Sequence, residues 1–201
     1  AAGGVPALQE VQFSLTSQRG CFGHCHFCAI TSHQGPIIQS RSHESLMREA
    51  KYMTHLPGFK GYIHDVGGPT ANFRHPACQK QLKAGVCKNR HCIGSEICPN
   101  LDTSHEDYQQ LLREIRSLPG VKKVFVRSGL RYDYVLADHN KKFVEELCQY
   151  HVSGQLKVAP EHVVKHVTDL MGKADIHAFL KFKGWFDEAN RKLGKKQYLV
   201  P

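Results

Sequence analysis

The sequence predicts an α/β fold built round a parallel sheet. Short runs of strand period alternate with longer runs of helix period, and five strand-like runs occur within 201 residues. The chemically unusual residues come just after those strands, on what would be one rim of the sheet. Strands separated by helices pair in parallel through right-handed crossovers, so the expectation is a doubly wound sheet or part of a β/α barrel.

The elements follow in order. Val11, Phe13 and Leu15 alternate with polar residues and predict a first strand. A cysteine-bearing loop follows. Ser42 can cap a helix, Glu44 suits its first turn, and Leu46, Ala50, Met53 and Leu56 form its buried stripe until Pro57-Gly58. Residues 61–66 predict a second strand, stopped by Gly67-Gly68-Pro69. Residues 70–103 lack a period and hold four cysteines; a loop of that length needs something to organise it, and a metal would serve. Ser104 and Asp107 fit a capping box ahead of a stripe at Tyr108, Leu111, Leu112, Ile115 and Leu118, which Pro119-Gly120 ends. Residues 123–128 predict the third strand. A helix over 139–151 is expected to turn Phe143, Leu147 and Tyr150 inward. Residues 155–159 predict the fourth strand, residues 163–171 a short helix, and Phe179, Phe182, Phe186, Ala189 and Leu193 one more helix before a fifth strand at 197–200.

Hydrophobic residues make up 41% of the chain and charged residues 22%, which excludes a disordered tail. No apolar run approaches the ~20 residues that cross a bilayer. Ala1-Ala2-Gly3-Gly4 lacks the basic-then-apolar order of a secretory signal. The chain opens without Met and ends on strand-like Tyr198-Leu199-Val200-Pro201, so it reads as a piece of a longer protein. The net charge is +9, with Lys181, Lys183, Arg191, Lys192, Lys195 and Lys196 near the C-terminus. That permits nucleic acid or an acidic protein as partner, while a solvated helix face explains it as well. Of eight cysteines, Cys21, Cys25 and Cys28 form one cluster, Cys78, Cys87, Cys92 and Cys98 another, and Cys148 stands alone as a buried small hydrophobe. Clustering without a secretion signal points to reduced, metal-holding thiolates in the cytoplasm.

Cys21, Cys25 and Cys28 are spaced C-x3-C-x2-C. Three thiolates on one short loop can face a common centre, and Gly20 and Gly23 let the backbone wrap closely round it. Electron-transfer clusters and structural zinc sites close with four ligands; three leave one iron of a cubane open to a small molecule. A Cys3His zinc site using His24 or His26 is the alternative.

Together with Phe27 just before the last cysteine, this loop resembles the signature of radical S-adenosylmethionine (radical SAM) enzymes. The stretches 21–31, 38–42, Asp65 to Asn72, Ser128 to Asp133 and Ala159 to His162 are similar, in order, to the YgiQ (UPF0313) family of that superfamily. The resemblance covers nearly the whole chain. It implies a partial β/α barrel of about five parallel strands, residues 1–201 being a truncated radical SAM core with a Cys-rich insertion at 70–103 after the second strand. It further implies a 4Fe–4S cluster on Cys21, Cys25 and Cys28 whose open iron chelates S-adenosylmethionine. Reductive cleavage of that cofactor would yield methionine and a 5′-deoxyadenosyl radical, which abstracts hydrogen from a substrate.

The same resemblance suggests cofactor contacts. The Gly67-Gly68 backbone stands where family members meet the methionine amino group, although Pro69 replaces a frequent Glu. Ser128 would meet ribose or carboxylate, Arg131 the methionine carboxylate, Glu161 the ribose hydroxyls, and Phe27 adenine or the cluster. Lys157 and Glu161 bracket the end of the fourth strand, and His162 is a candidate to face substrate. Each residue also has an ordinary structural reading: a glycine turn, an ion pair, a core aromatic. No catalytic residue is assigned. The electron donor expected is reduced flavodoxin or ferredoxin.

The second cluster has spacing C-x8-C-x4-C-x5-C, suited to a zinc ion or an auxiliary iron–sulfur cluster, with His75 or His91 able to replace one thiol. A zinc-bearing nucleic-acid-binding module is the competing function; the rim placement of the first cysteines weighs against it.

Overall fold

A computed structural model describes residues 4–201. The chain enters through a short helical turn α1 (Leu8–Val11) and then strand β1 (Ser14–Thr16). Phe13 and Leu15 are buried as their alternation predicts, but Val11 belongs to α1 and is 58% exposed. A two-residue antiparallel pair, β2 (Gln18–Arg19) with β3 (Gln39–Ser40), closes the base of the cysteine loop, and α2 (Ile30–Gln34) lies within that loop. Helix α3 (His43–Met53) starts where the sequence places it: the Ser42 side chain accepts from Ser45 N.

The second predicted strand divides into β4 (Tyr62–Ile63) and β5 (Asp65–Gly67). The Cys-rich stretch contains one short helix, α4 (Gln79–Ala84), and α5 (Glu106–Ser117) follows it. The expected capping box is only half formed. Ser104 Oγ accepts from Glu106 N at 3.2 Å, but Asp107 turns away. Its carboxylate instead receives the Arg74 guanidinium at 2.9 Å and His43 at 3.1 Å, and these tertiary partners replace a local cap.

Strand β6 (Lys123–Val124) leads to α6 (Tyr132–Asp138), a short helix that the sequence pattern does not predict and whose first two residues end the Ser128-to-Asp133 motif. Helix α7 (Lys141–Glu146) runs into a wide turn over Leu147–His151, closed by Val152 N donating to Leu147 O at 3.0 Å. The extra residue in that turn shifts the helical phase. Phe143 and Leu147 are inward as expected, but Tyr150 is 36% exposed, and Cys148 and His151 occupy the core. Strand β7 (Gln155–Lys157), α8 (Lys165–Met171), α9 (Ile176–Leu193) and β8 (Tyr198–Val200) complete the order.

The strands form four two-stranded pieces among the described residues. β1 pairs with β5, β4 with β6 and β7 with β8, all parallel. Further bonds join the pieces: His64 N donates to Phe13 O at 2.8 Å and Val66 N to Phe125 O at 3.1 Å, and Leu130 makes a parallel bridge to Val158. Each predicted strand therefore neighbours the next in chain order. Helices α3 and α5 pack together, while α6 and α7 pack on α9. Leu15, Leu46, Ile63, Val66, Leu111, Val124, Leu156 and Phe182 are buried in the main core between these layers. A second, smaller core of Phe22, Ile38, Phe73, Ala77, Ile93 and Tyr134 ties the cysteine loop to the 70–103 segment. No described helix is long and apolar enough to cross a membrane.

Candidate cluster and cofactor site

The loop carrying Cys21, Cys25 and Cys28 is pinned at both ends. Cys21 N donates to Gly35 O at 3.0 Å, and Thr31 Oγ1 donates to Cys21 O at 2.9 Å. Gly20 has φ +90°, and a Cβ there would stand 2.4 Å from Ile37 O, so both backbone conformation and space require glycine.

Two sulfurs converge beside Gly23, whose N donates to Cys21 Sγ at 3.4 Å. A Cβ on Gly23 would lie 3.2 Å from Cys21 Sγ, 3.9 Å from Cys25 Sγ and 2.9 Å from Arg131 Nη1. Cys28 N closes back on Cys25 O at 3.0 Å, and all three cysteines are half-buried free thiols. Phe27 is 54% exposed beside them and so available to a bound molecule, whereas Phe22 is buried and stacks on Phe73 at 3.8 Å.

Arg131 is buried under this loop. Its Nε and Nη2 donate to the two oxygens of Asp133, each at 2.8 Å, and Nη1 donates to Cys25 Sγ at 3.4 Å. Burial opposes the guanidinium charge, but the Asp133 carboxylate outweighs that and holds Arg131 above its ordinary range. The fork that the sequence offers to a methionine carboxylate is thus held by Asp133, and the remaining nitrogen faces the cysteine. Asn72 fixes the Arg131 backbone, accepting from its N at 2.9 Å and donating to its O at 3.1 Å.

Gly67 ends β5 and Gly68 follows it, where other segments press closest. A Cβ on Gly67 would fall 2.3 Å from Ser128 Oγ, and one on Gly68 would fall 2.8 Å from both Gln18 O and Nε2. Ser128 donates its hydroxyl to Asp65, whose other carboxylate oxygen accepts from Arg127 N at 2.8 Å and Ser128 N at 3.1 Å. Ser128 therefore keeps acceptor capacity toward a ligand, its proton being engaged.

Glu161 has φ +68°, a left-handed conformation that costs a non-glycine residue about 1–2 kcal/mol. Its carboxylate lies 3.6 Å from Lys173 Nζ, and the Lys173 side chain is 4% exposed. Burial pushes Lys173 below its ordinary range, with Arg131 adding to that and Cys25, Asp133 and Glu161 opposing it. The nearby Tyr132 hydroxyl is buried without a protein partner. His162 serves the backbone: its Nδ1 accepts from Val164 N at 3.0 Å, at the start of α8. Lys157 is exposed, and its carbonyl accepts from Leu130 N at 3.0 Å.

The structure thus gathers Cys21, Cys25, Arg131 and Lys173 at one place. Gly67 and Ser128 form a neighbouring pair, and Glu161 joins the first group through Lys173. Asp65, Asp133 and Lys173 carry no sequence-based role. A carboxylate at the end of a buried strand could have marked Asp65; nothing local marks Lys173. The donor set suits an anionic, sulfur-bound group: thiols on a loop whose glycines leave room, an N–H and a guanidinium aimed at sulfur, and a second buried cation.

In the second cluster, Cys78, Cys87, Cys92 and Cys98 line one cavity of about 540 Å³. Burial first, then the neighbouring Cys78, Cys98 and Cys87, pushes the Cys92 thiol up to about 11. Among the described residues no three Cys, His, Asp or Glu side chains are drawn to the spacing of a single ion. His75 turns away from the sulfurs and bonds Ser104 O at 2.9 Å. Cys148 is fully buried, and burial raises it to about 12, as a core residue.

No family model matches the chain. The whole chain is 55% identical to a UPF0313 protein of Clostridium botulinum (strain Okra / Type B1). Over 99% of its length it is 55% identical to a UPF0313 protein of Clostridium perfringens (strain SM101 / Type A). It spans about a third of the length of these curated relatives, 31% and 30% respectively. Close homologues of this chain are therefore named UPF0313 proteins.

Proposed function

We propose that the chain is part of a UPF0313-family radical SAM enzyme and forms part of its β/α barrel core. The observation that carries this reading is the three-cysteine loop at the sheet rim, with Gly23 opening space between two sulfurs and Arg131 donating to Cys25. The in-order parallel pairing of strands supports the barrel.

Cys21, Cys25 and Cys28 would hold a 4Fe–4S cluster through three thiolates. When bound, cluster and S-adenosylmethionine together supply a one-electron reductive cleavage that yields a hydrogen-abstracting radical. The protein's own residues do the rest. Arg131 Nη1 stabilises the Cys25 thiolate, and Asp133 keeps that guanidinium aimed. Lys173 supplies a buried positive charge beside the loop and draws Glu161 toward it. Gly67 O already accepts from Ser17 N at 2.7 Å and Ser17 Oγ at 3.1 Å, so the acceptors offered at the neighbouring strand ends are the Gly68 backbone and the Ser128 oxygen, and Phe27 gives an apolar plate to exclude water. The donor of electrons would be an acidic flavodoxin or ferredoxin, steered by the net charge of +9. On α9, Lys183 and Lys192 are already paired with Asp187, Glu145 and Glu188, so the steering falls to the other cations.

The test is anaerobic reconstitution of the intact protein with iron and sulfide, followed by visible and electron-spin spectra with and without S-adenosylmethionine. The cofactor should perturb the reduced spectrum, and Cys25→Ala should abolish 5′-deoxyadenosine formation. A colourless protein holding zinc at this loop would favour a zinc-bearing nucleic-acid-binding module, and a cluster indifferent to the cofactor an electron carrier.

A further inference from the structure

The 70–103 segment has little to hold it. Its buried apolar residues are few, Phe73, Ala77 and Ile93 among them, and α4 is its only helix. Yet four cysteines separated by up to eight intervening residues reach one cavity. Cys78 stands at the start of α4; Cys98 N donates to Cys92 O at 3.0 Å, which fixes those two side by side. Two donors are aimed at sulfur: Lys80 Nζ to Cys87 Sγ at 3.3 Å and Gln81 Nε2 to Cys92 Sγ at 3.7 Å. Such donors stabilise thiolate rather than thiol. Each Sγ swings on one side-chain torsion, so the four sulfurs lining this cavity can turn toward a common centre.

We propose that Cys78, Cys87, Cys92 and Cys98 bind a second, thiolate-held metal centre, separate from the first loop, that organises the 70–103 segment. For a zinc ion, four thiol protons leave to solvent as the zinc–sulfur bonds form and no electron is transferred; an iron–sulfur cluster would arrive already assembled on a carrier protein, these four thiols giving up their protons as they displace the carrier's thiolates. The chemistry is that of four thiolates, which suits either a zinc ion or an iron–sulfur cluster.

The location gives the centre a reach beyond its own segment. His91, between Cys87 and Cys92, packs edge-on against His24 and His26 of the first loop, with ring centroids 5.0 and 5.5 Å apart. Fixing Cys87 and Cys92 therefore fixes His91 against the residues that flank Cys25. The inference stands apart from the radical SAM reading, since either cysteine set can bind metal without the other.

The test uses the intact protein carrying Cys21→Ala, Cys25→Ala and Cys28→Ala, purified without oxygen. About one zinc, or about four irons with matching sulfide, should remain per chain. Which metal is found distinguishes the two kinds of centre. Adding Cys87→Ser or Cys92→Ser should lower the content several-fold, while Cys148→Ser leaves it unchanged. In case these variants fold poorly, cobalt(II) titration of the chelator-stripped triple variant provides a second readout. It should give thiolate-to-metal charge-transfer and tetrahedral ligand-field bands, and stripping should expose 70–103 to protease. Less than about a tenth of an equivalent of metal with no cobalt bands, or thiols recovered as two disulfides, would overturn the proposal.

Discussion

Asp133→Ala is the sharpest single test of the architecture beneath the first cysteine loop. Arg131 and Asp133 have side chains only 7% and 4% exposed and share two hydrogen bonds of 2.8 Å. Removing the carboxylate leaves the guanidinium buried with Cys25 Sγ and Lys173 as neighbours, one a weak acceptor and the other a like charge. Stranding one charge of a buried pair costs about 3–5 kcal/mol. With a urea dependence of about 2 kcal/mol per molar, the unfolding midpoint should fall by about 1.5–2.5 M. Arg131→Met should cost a similar amount. The double variant Arg131→Met/Asp133→Ala should recover much of the loss, because removing both charged partners leaves no unpaired charge. Denaturant melts of the four proteins, combined as a double-mutant cycle, measure the coupling. A midpoint shift under about 0.5 M for Asp133→Ala, or strictly additive single costs, would refute the argument.

Gly67→Ala should destabilise by about 1–3 kcal/mol, because its methyl would lie 2.3 Å from Ser128 Oγ; Ser128→Gly should restore part of the loss in thermal melts. Phe182→Ala, at a fully buried core ring, should cost about 3–5 kcal/mol by denaturant titration. His151 sets an acid limit. Its Nδ1 donates to Val124 O at 2.8 Å, its Nε2 is buried without a partner, and burial lowers it from 6.5 to about 4. The unfolded chain therefore takes up a proton below about pH 6.5 that the folded chain refuses. Stability contributed by the neutral ring should fall by about 3 kcal/mol as pH drops from 6.5 to 4. His151→Leu should flatten that part of the pH–stability curve, and an unchanged slope would remove His151 as the cause.

Much of the chain was legible because periodicity and punctuation agree. The Ser42 cap, the stripe of α5 and the phenylalanines of α9 each combine a local signal with a tertiary use. The misreadings occur where tertiary contacts overrule local pattern. Asp107 abandons its cap for Arg74, and the wide turn at Leu147–His151 rotates Tyr150 out and His151 in. The approach of Cys21 and Cys25 to a common point beside Gly23 agrees with their spacing. The fate of the Arg131 fork could not be read from sequence, since two residues equally able to meet a carboxylate look alike until Asp133 is placed. Lys173 was invisible for the same reason: the turn between α8 and α9 is brought to the cysteine loop only by the fold, where His26 N donates to Met171 O at 3.0 Å.

The in-order strand pairing bears on how the protein is made. Leu15 meets Val66, Ile63 meets Val124, Leu130 meets Val158 and Leu156 meets Leu199, so every strand docks on one translated before it. Among the described strands, each parallel neighbour lies in the next predicted strand in chain order, so the nascent chain can add these pieces one at a time. The thiol loop differs: β2 and β3 enclose it, but Arg131 beneath it and Met171 O, which accepts from His26 N at 3.0 Å, belong to later segments, so its final shape must await the synthesis of α8.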